Sequence, residues 1–243
     1  MGQEMNIEVI TSFNQHYYDL IGKKSLGSWL THWPTSLSIT CYVEDMRLAD
    51  HARVRQIDFD QLGHDYRSFQ AAAVKGRMHI FAKKAYSVIH AMNHSMADRI
   101  MWLDADVLTK QDVPLDLLHS IMPDHVLSTH MGVTYTESKT GRKGPWLVPE
   151  TGVFVINARH AMFDLFRQEY QRRYRERDFD DLRRGYDNDV YGATITKFDV
   201  PSLDLCSGLK KAYKTPLKHT VLGAYLDHYK AKHSKNYFAE SDQ

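Results

Sequence analysis

The residues in this chain best suited to chemistry are two aspartates, Asp104 and Asp106, with a single alanine between them. They follow the apolar run Ile100-Met101-Trp102-Leu103, which reads as a parallel strand buried on both faces. In extended chain, residues i and i+2 project to the same side. The two carboxylates are therefore expected to converge at the carboxyl end of that strand, where open α/β sheets bind ligands. Two hard oxygen ligands with no cysteine nearby suit Mg²⁺ or Mn²⁺ carrying a phosphate group. A D-x-D triplet alone is weak, because most occurrences are solvated turns or helix caps. The strand in front of it gives it weight.

A pair at a strand end needs a sheet behind it, and the preceding hundred residues alternate between two periods. Residues 7–12 read as a first strand. Leu20, Ile21, Leu26, Trp29, Leu30 and Trp33 recur at helical spacing over 18–33, and Pro34 closes that helix. Strands are expected over 36–43 and 54–59, and a helix from about 68 to 96 with Phe81, Ala85, Val88, Ile89 and Met92 on one face. Alternation of strand and helix marks a mostly parallel sheet with crossover helices.

Beyond the aspartates, Asp112-Val113-Pro114 opens a helix, with Pro at an early helical position. Residues 126–129 read as a strand, and the polar stretch 132–149 reads as a loop long enough to be functional or mobile. Glu150-Thr151-Gly152 leads into the apolar strand 153–157, and a charged helix spans 160–178. The arginines at 172, 173, 175, 177, 183 and 184 are interleaved with acids, the pattern of a solvated face. Tyr186-Asp187-Asn188-Asp189 opens a further short helix. With no internal repeat and no low-complexity linker, the reading is one α/β domain over 1–243.

Composition narrows the classes. A hydrophobic fraction of 43% and a charged fraction of 25% are those of an ordinary globular protein. A formal net charge of +1 carries no global signal for nucleic acid or membrane. Charge is uneven, however: lysines 210, 211, 214, 218, 230, 232 and 235 share their segment with one acid, Asp227, and with His219, His228 and His233. That segment should attract phosphate. Cys41 and Cys206 sit among apolar residues and read as core residues in a reducing compartment. Without a signal-peptide pattern or a run of about 18 apolar residues, the expectation is a soluble cytoplasmic protein.

Together these features resemble the GT-A (Rossmann-like) fold of nucleotide-sugar-dependent glycosyltransferases, closest to small metal-dependent bacterial and phage enzymes related to family 8. The most specific pieces are Trp102-Leu103-Asp104-Ala105-Asp106 and Glu150-Thr151-Gly152-Val153-Phe154-Val155-Ile156-Asn157, and the stretch from Trp33-Pro34 to Glu44-Asp45 is also similar. The resemblance covers most of the chain. It implies a nucleotide-binding part over about 1–110 and an acceptor and C-terminal part over about 111–243.

The resemblance also implies roles. Asp104 and Asp106 would hold Mn²⁺ or Mg²⁺, with Asp104 also near the ribose. The family's third ligand is a C-terminal histidine, often in an H-x-x-G-x-x-K pattern. His228-Tyr229-Lys230-Ala231 is the better match, although alanine replaces the glycine and the following lysines, Lys232 and Lys235, are out of register. His219, four residues before Gly223, is the other candidate. Thr11, Ser12 and Asn14 would hold the nucleoside, and Tyr17 would stack on the base or serve as a core tyrosine. Lys84, Lys230 and Lys235 would reach the phosphates or sugar. Glu150, Asp187 and Asp189 are the candidate catalytic or sugar-binding carboxylates, while Asp189 is equally suited to capping a helix. The implied reaction moves a sugar from a nucleotide-diphosphate donor, with UDP favoured, to a hydroxyl acceptor: a glycan, a protein, or DNA carrying modified bases.

Three rival readings share some of these features. A haloacid-dehalogenase-like phosphatase would use Asp104 as nucleophile and Asp106 as acid. That motif normally lies on the first strand with Thr or Val two residues past its second Asp, where this chain has Leu108. A nucleotidyltransferase would show a Gly-rich phosphate loop, absent from 7–30. A non-catalytic nucleotide-sugar or nucleic-acid binding module would not need the intact aspartate pair.

Overall fold

A computed structural model describes residues 5–72, 78–137, 141, 143–207 and 216–229. Strand β1 (Ile7–Asn14) continues into a helical turn (Gln15–Tyr17), a π-helical turn (Tyr18–Gly22) and helix α1 (Lys23–His32). Then come β2 (Ser38–Glu44), β3 (Val54–Asp58), α2 (His64–Gln70) and α3 (Met78–His94). The aspartate-bearing strand is β4 (Arg99–Leu103), followed by β5 (Val107–Thr109) and α4 (Leu115–Ser120). After these lie β6 (Ser128–Met131), β7 (Thr134–Glu137), β8 (Lys143–Leu147) and β9 (Glu150–Asn157). The described chain closes with α5 (Phe163–Glu176), α6 (Asp187–Lys197), β10 (Ser202–Asp204) and β11 (Leu226–His228).

Seven strands form one sheet in the order β10-β6-β9-β4-β1-β2-β3, with a single domain built on it. Alternation sorts the side chains between its faces. Ile7, Val9, Met101, Leu103, Val153 and Val155 pack on one side against Leu26 and Trp29 of α1 and Leu118 of α4. Ile10, Ile100, Trp102, Phe154 and Ile156 pack on the other side against α3, α5 and α6. Both cysteines are buried and free, and burial pushes the Cys41 thiol up to about 12. Between β1 and β4 the order of connection reverses, which opens a crevice at the carboxyl ends of these two strands.

All pairings in the sheet are parallel except those of β9, which runs antiparallel to both β4 and β6. Its inversion puts the start of β9 beside the end of β4, so Glu150 and Thr151 arrive at the same sheet edge as Asp104.

Several elements differ from the sequence expectation. The helix expected over 68–96 is two helices among the described residues, α2 ending at Gln70 and α3 starting at Met78. α2 stops at Gln70, where Ala71 closes it by donating its N–H to Arg67 O at 3.0 Å. The helix expected over 18–33 starts at Gln15, where the Asn14 side chain caps it by accepting from Tyr17 N–H at 2.8 Å, and it is interrupted by the π-helical turn. The loop expected over 132–149 carries a hairpin, β7 paired antiparallel with β8. That hairpin lies on α6, where Gly192 has no Cβ to collide with the Leu147 carbonyl oxygen. Finally, β5 and β11 form a separate antiparallel ribbon that the sequence pattern did not reveal, each being only three residues long.

Candidate active site

β4 stops at Leu103, and the chain then turns: Val107 N–H donates to Asp104 O at 2.9 Å. Asp104 and Asp106 do converge, but across this tight turn and not along an extended strand. Asp104 N–H donates to Gly152 O at 2.8 Å, which ties the turn to the inverted strand β9.

The third member of the cluster comes from the far end of the described chain. β11 pairs with β5 so that His228 lies opposite Val107. Two indoles hold β5 from below: Trp29 Nε1 donates to Val107 O at 2.8 Å, and Trp33 Nε1 donates to Thr109 Oγ1 at 2.7 Å. Tyr229 N–H donates to Asp106 O at 3.0 Å, and so fixes the ribbon to the turn. His228 Nε2 then lies 3.0 Å from Asp106 Oδ1 and 3.6 Å from Asp104 Oδ2. Gly152 leaves room for the imidazole, because a Cβ there would stand 2.7 Å from His228 Nδ1.

Ligand atoms of Asp104, Asp106 and His228 all lie within 4.8 Å of one another. The His228 Nε2 atom is buried and makes no well-formed hydrogen bond among the described residues. Buried ring nitrogens normally find a partner. One that faces two carboxylates without such a bond fits a bound cation, and the oxygen-rich donor set suits Mn²⁺ or Mg²⁺. His219, the other candidate, is exposed on the short helix Pro216–His219, outside this cluster.

Beside the cluster lies a second network. Lys84 Nζ, from α3, donates to Asp104 Oδ1 at 2.7 Å and to Thr151 O at 2.5 Å, and lies 3.2 Å from Asp187 Oδ2. Thr151 Oγ1 donates to the same Asp187 oxygen at 2.6 Å. Burial opposes the Lys84 charge, but Asp104 and Asp187 outweigh it and hold the ammonium above its ordinary range.

These groups open onto a cavity of about 670 Å³ at the crevice between β1 and β4. Ser12, Asn14 and Tyr17 line it from β1 and the turn that follows. Lys84, Asp104, Asp106, Glu150 and Asp187 line it from the opposite side. Glu150 Oε1 accepts from Gly152 N–H at 3.1 Å. Two expected residues lie elsewhere. Thr11 is fully buried and does not reach the cavity wall. Asp189 is buried behind it, where it accepts from Tyr186 N–H at 3.4 Å and lies 3.6 Å from Arg183 Nε. Burial pushes its carboxyl above the usual range against the pull of Arg183. Lys230 and Lys235 lie outside the described residues, as do all the lysines of the basic segment except Lys218.

Several lining residues were given no site role by the sequence reading. Trp102, Tyr186 and Arg184 face the cavity, as does the ion pair in which Lys83 Nζ donates to Glu44 Oε2 at 2.6 Å. Trp102 was detectable in principle, since it stands near the end of β4 two residues before Asp104. Part of the arginine series is also more than a solvated face. Arg173 is buried in ion pairs with Glu169 and Asp181, and Arg183 stacks over the Tyr135 ring at 4.1 Å.

By sequence alone the chain matches no protein-family profile and no curated protein. By fold it is similar to many solved chains, three glycosyltransferases among them. The galactosyltransferase LgtC, in complex with donor and acceptor sugar analogues, matches at a TM-score of 0.55 and 16% identity, over 93% of this chain and 87% of that one. Mouse xyloside xylosyltransferase 1, in its apo form, matches at 0.53 and 12%, over 84% and 86%. The bifunctional glycosyltransferase WbbM matches at 0.54 and 13%, over 84% of this chain, which spans 39% of that longer protein. At these identities the likeness is one of fold. The fold is that of GT-A-type glycosyltransferases, and the aspartates follow its fourth strand in chain order.

Proposed function

We propose that this chain is a metal-dependent glycosyltransferase, akin to family 8, that moves a hexosyl or pentosyl group from a nucleotide-diphosphate sugar to a hydroxyl acceptor. The observation that carries the reading is the Asp104-Asp106-His228 cluster at the mouth of a cavity set at the switch point of the sheet. Asp104, Asp106 and His228 hold Mn²⁺ or Mg²⁺. The ion supplies charge that offsets the negative charge developing on the departing diphosphate.

The remaining work falls to the side chains around it. Ser12, Asn14 and Tyr17 border the half of the cavity that takes the nucleoside, with UDP favoured, and Thr11 supports them from the buried part of β1. Lys84 carries a permanent charge toward the phosphates and holds Asp104 and Asp187 in place. Lys230 and Lys235 belong to the same phosphate-binding reading. Asp187 and Glu150 face the sugar and the acceptor, and Asp189 acts from behind by holding the start of α6. The acceptor is a glycan, a protein hydroxyl or a modified DNA base. A cytoplasmic setting belongs to the same proposal, supported by the two free cysteines. Among the described residues no helix is long and apolar enough to cross a membrane.

Calorimetric titration of UDP, GDP and CDP, with Mn²⁺ and with EDTA, tests the reading directly. Metal-dependent binding of one nucleotide, UDP first, is the expected result. Absence of binding under every condition overturns it.

A further inference from the structure

Asp104 does not present its two oxygens equally. Oδ1 accepts two hydrogen bonds, from Lys84 Nζ at 2.7 Å and from Trp102 Nε1 at 2.7 Å. Oδ2 is the oxygen turned toward His228, at 3.6 Å. The indole that makes this distinction is itself immobilised. Trp102 is 2% exposed, its ring lies nearly parallel to that of Phe154 at 6.4 Å, and Lys84 Nζ stands 5.1 Å above its face. Trp102 lies near the end of β4 and Asp104 just beyond it, so the indole reaches the carboxylate across two residues of chain.

We infer that Trp102 is a positioning residue that restricts Asp104 to one-oxygen coordination and thereby sets which cation the centre accepts. The inference rests on the metal-dependent reading above. Ca²⁺ prefers six to eight oxygen ligands and commonly takes carboxylates through both oxygens, whereas Mg²⁺ requires near-octahedral geometry with short single contacts. An Asp104 whose Oδ1 already holds two N–H donors suits the small octahedral ion and disfavours Ca²⁺. Lys84 alone would hold that oxygen through a flexible stem, and the indole N–H supplies the direction. The arrangement is a support for a metal ligand by a neighbouring donor, a type of contact whose loss typically costs about 10–100-fold in metal affinity.

The test is Trp102→Phe, which keeps an aromatic ring in the core but removes the N–H donor together with part of the bicyclic ring. Mn²⁺ and Ca²⁺ affinities are measured on the whole protein without nucleotide. The expected result is Mn²⁺ binding weakened about 10-fold, with a comparable fall in the preference for Mn²⁺ over Ca²⁺ in a variant that circular dichroism shows to be folded, its melting temperature lowered by the lost ring volume. A variant with unchanged Mn²⁺ affinity and unchanged preference overturns the inference. If Phe impairs folding, 3-benzothienylalanine at position 102 keeps the bicyclic shape without the N–H, and the same two outcomes decide. A readout free of added metal is the Trp102 indole proton in a ¹H–¹⁵N spectrum. It should move when Asp104→Asn is introduced, and a resonance that stays in place counts against the inference. Parent protein that binds neither Mn²⁺ nor Mg²⁺ would instead refute the metal centre itself, so the two failures are distinguishable.

Discussion

Gly152 and the imidazole of His228 are in direct contact, so close that a Cβ on residue 152 would lie 2.7 Å from His228 Nδ1. The glycine lies on β9 and the histidine on β11, 76 residues apart in sequence (228 − 152). Each belongs to a strand tied to the turn that carries the two aspartates. The contact makes the glycine a requirement for the place of the ring.

Gly152→Ala should push the imidazole out of the cluster while leaving the sheet intact, since φ at this position is not in the left-handed region. Mn²⁺ affinity should fall by about 10–100-fold, the range for disturbed support of a metal ligand. Metal titration beside a melting curve checks this. Affinity equal to that of the parent would mean that His228 does not contribute.

Asp106→Asn should abolish turnover and metal-dependent nucleotide binding, because it removes one of two charged oxygen ligands and keeps the shape. The fold should persist, since the Asp106 contact that holds the ribbon is made by its backbone oxygen to Tyr229 N–H. Circular dichroism and nucleotide titration, run together, separate the two effects. Near-normal turnover would sink the metal assignment.

Lys84→Met leaves Asp104 and Asp187 without their shared cation. Breaking a buried charge pair typically costs about 3–5 kcal/mol, and that loss is expected in denaturant unfolding. Added Mn²⁺ should restore part of it in this variant. The sign with pH is set by a pKa held above the ordinary 10.5. The contribution is fully present below that value and is lost only as pH rises through the higher folded-state pKa. The stability gap between parent and variant should therefore stay flat through neutral pH. A gap that closes as pH falls from neutral toward mildly acidic values would contradict the pairing.

Glu169 gives the opposite sign. Hydrogen bonds from Arg172, and then from Lys197, lower its carboxyl to about 2 from an ordinary 4.5. Its stabilising effect is present above 4.5 and is lost as pH falls toward 2. Glu169→Gln should flatten that part of the stability profile. Thermal melts at stepped acidic pH measure it, and a variant with the same acid limb as the parent would refute the assignment.

Those signals that reside within a few consecutive residues were legible in the chain. The alternation of strand and helix periods over the first hundred residues and the apolar run before Asp104 announced a mostly parallel sheet with a metal-suited pair at a strand end. Local periodicity reports which face is buried, and burial is what a strand must satisfy first. The convergence of Asp104 and Asp106 was also legible, although the turn that brings it about was not. The split of the helix between Gln70 and Met78 and the hairpin β7–β8 were missed, because short polar strands and helix breaks carry little periodic signal.

Only the tertiary structure decided what surrounds the pair. That β9 runs antiparallel, bringing Thr151 and Gly152 to the end of β4, depends on pairings made across the sheet. That His228 and not His219 joins the aspartates depends on a three-residue ribbon clamped by Trp29 and Trp33 from the opposite end of the chain. That Asp187 shares Lys84 with Asp104 while Asp189 turns away follows from the packing of α6, not from their two-residue spacing. Composition and period name the residue types and the layers. Which side chains meet at one point is set by contacts between segments far apart in sequence, and no local pattern records those.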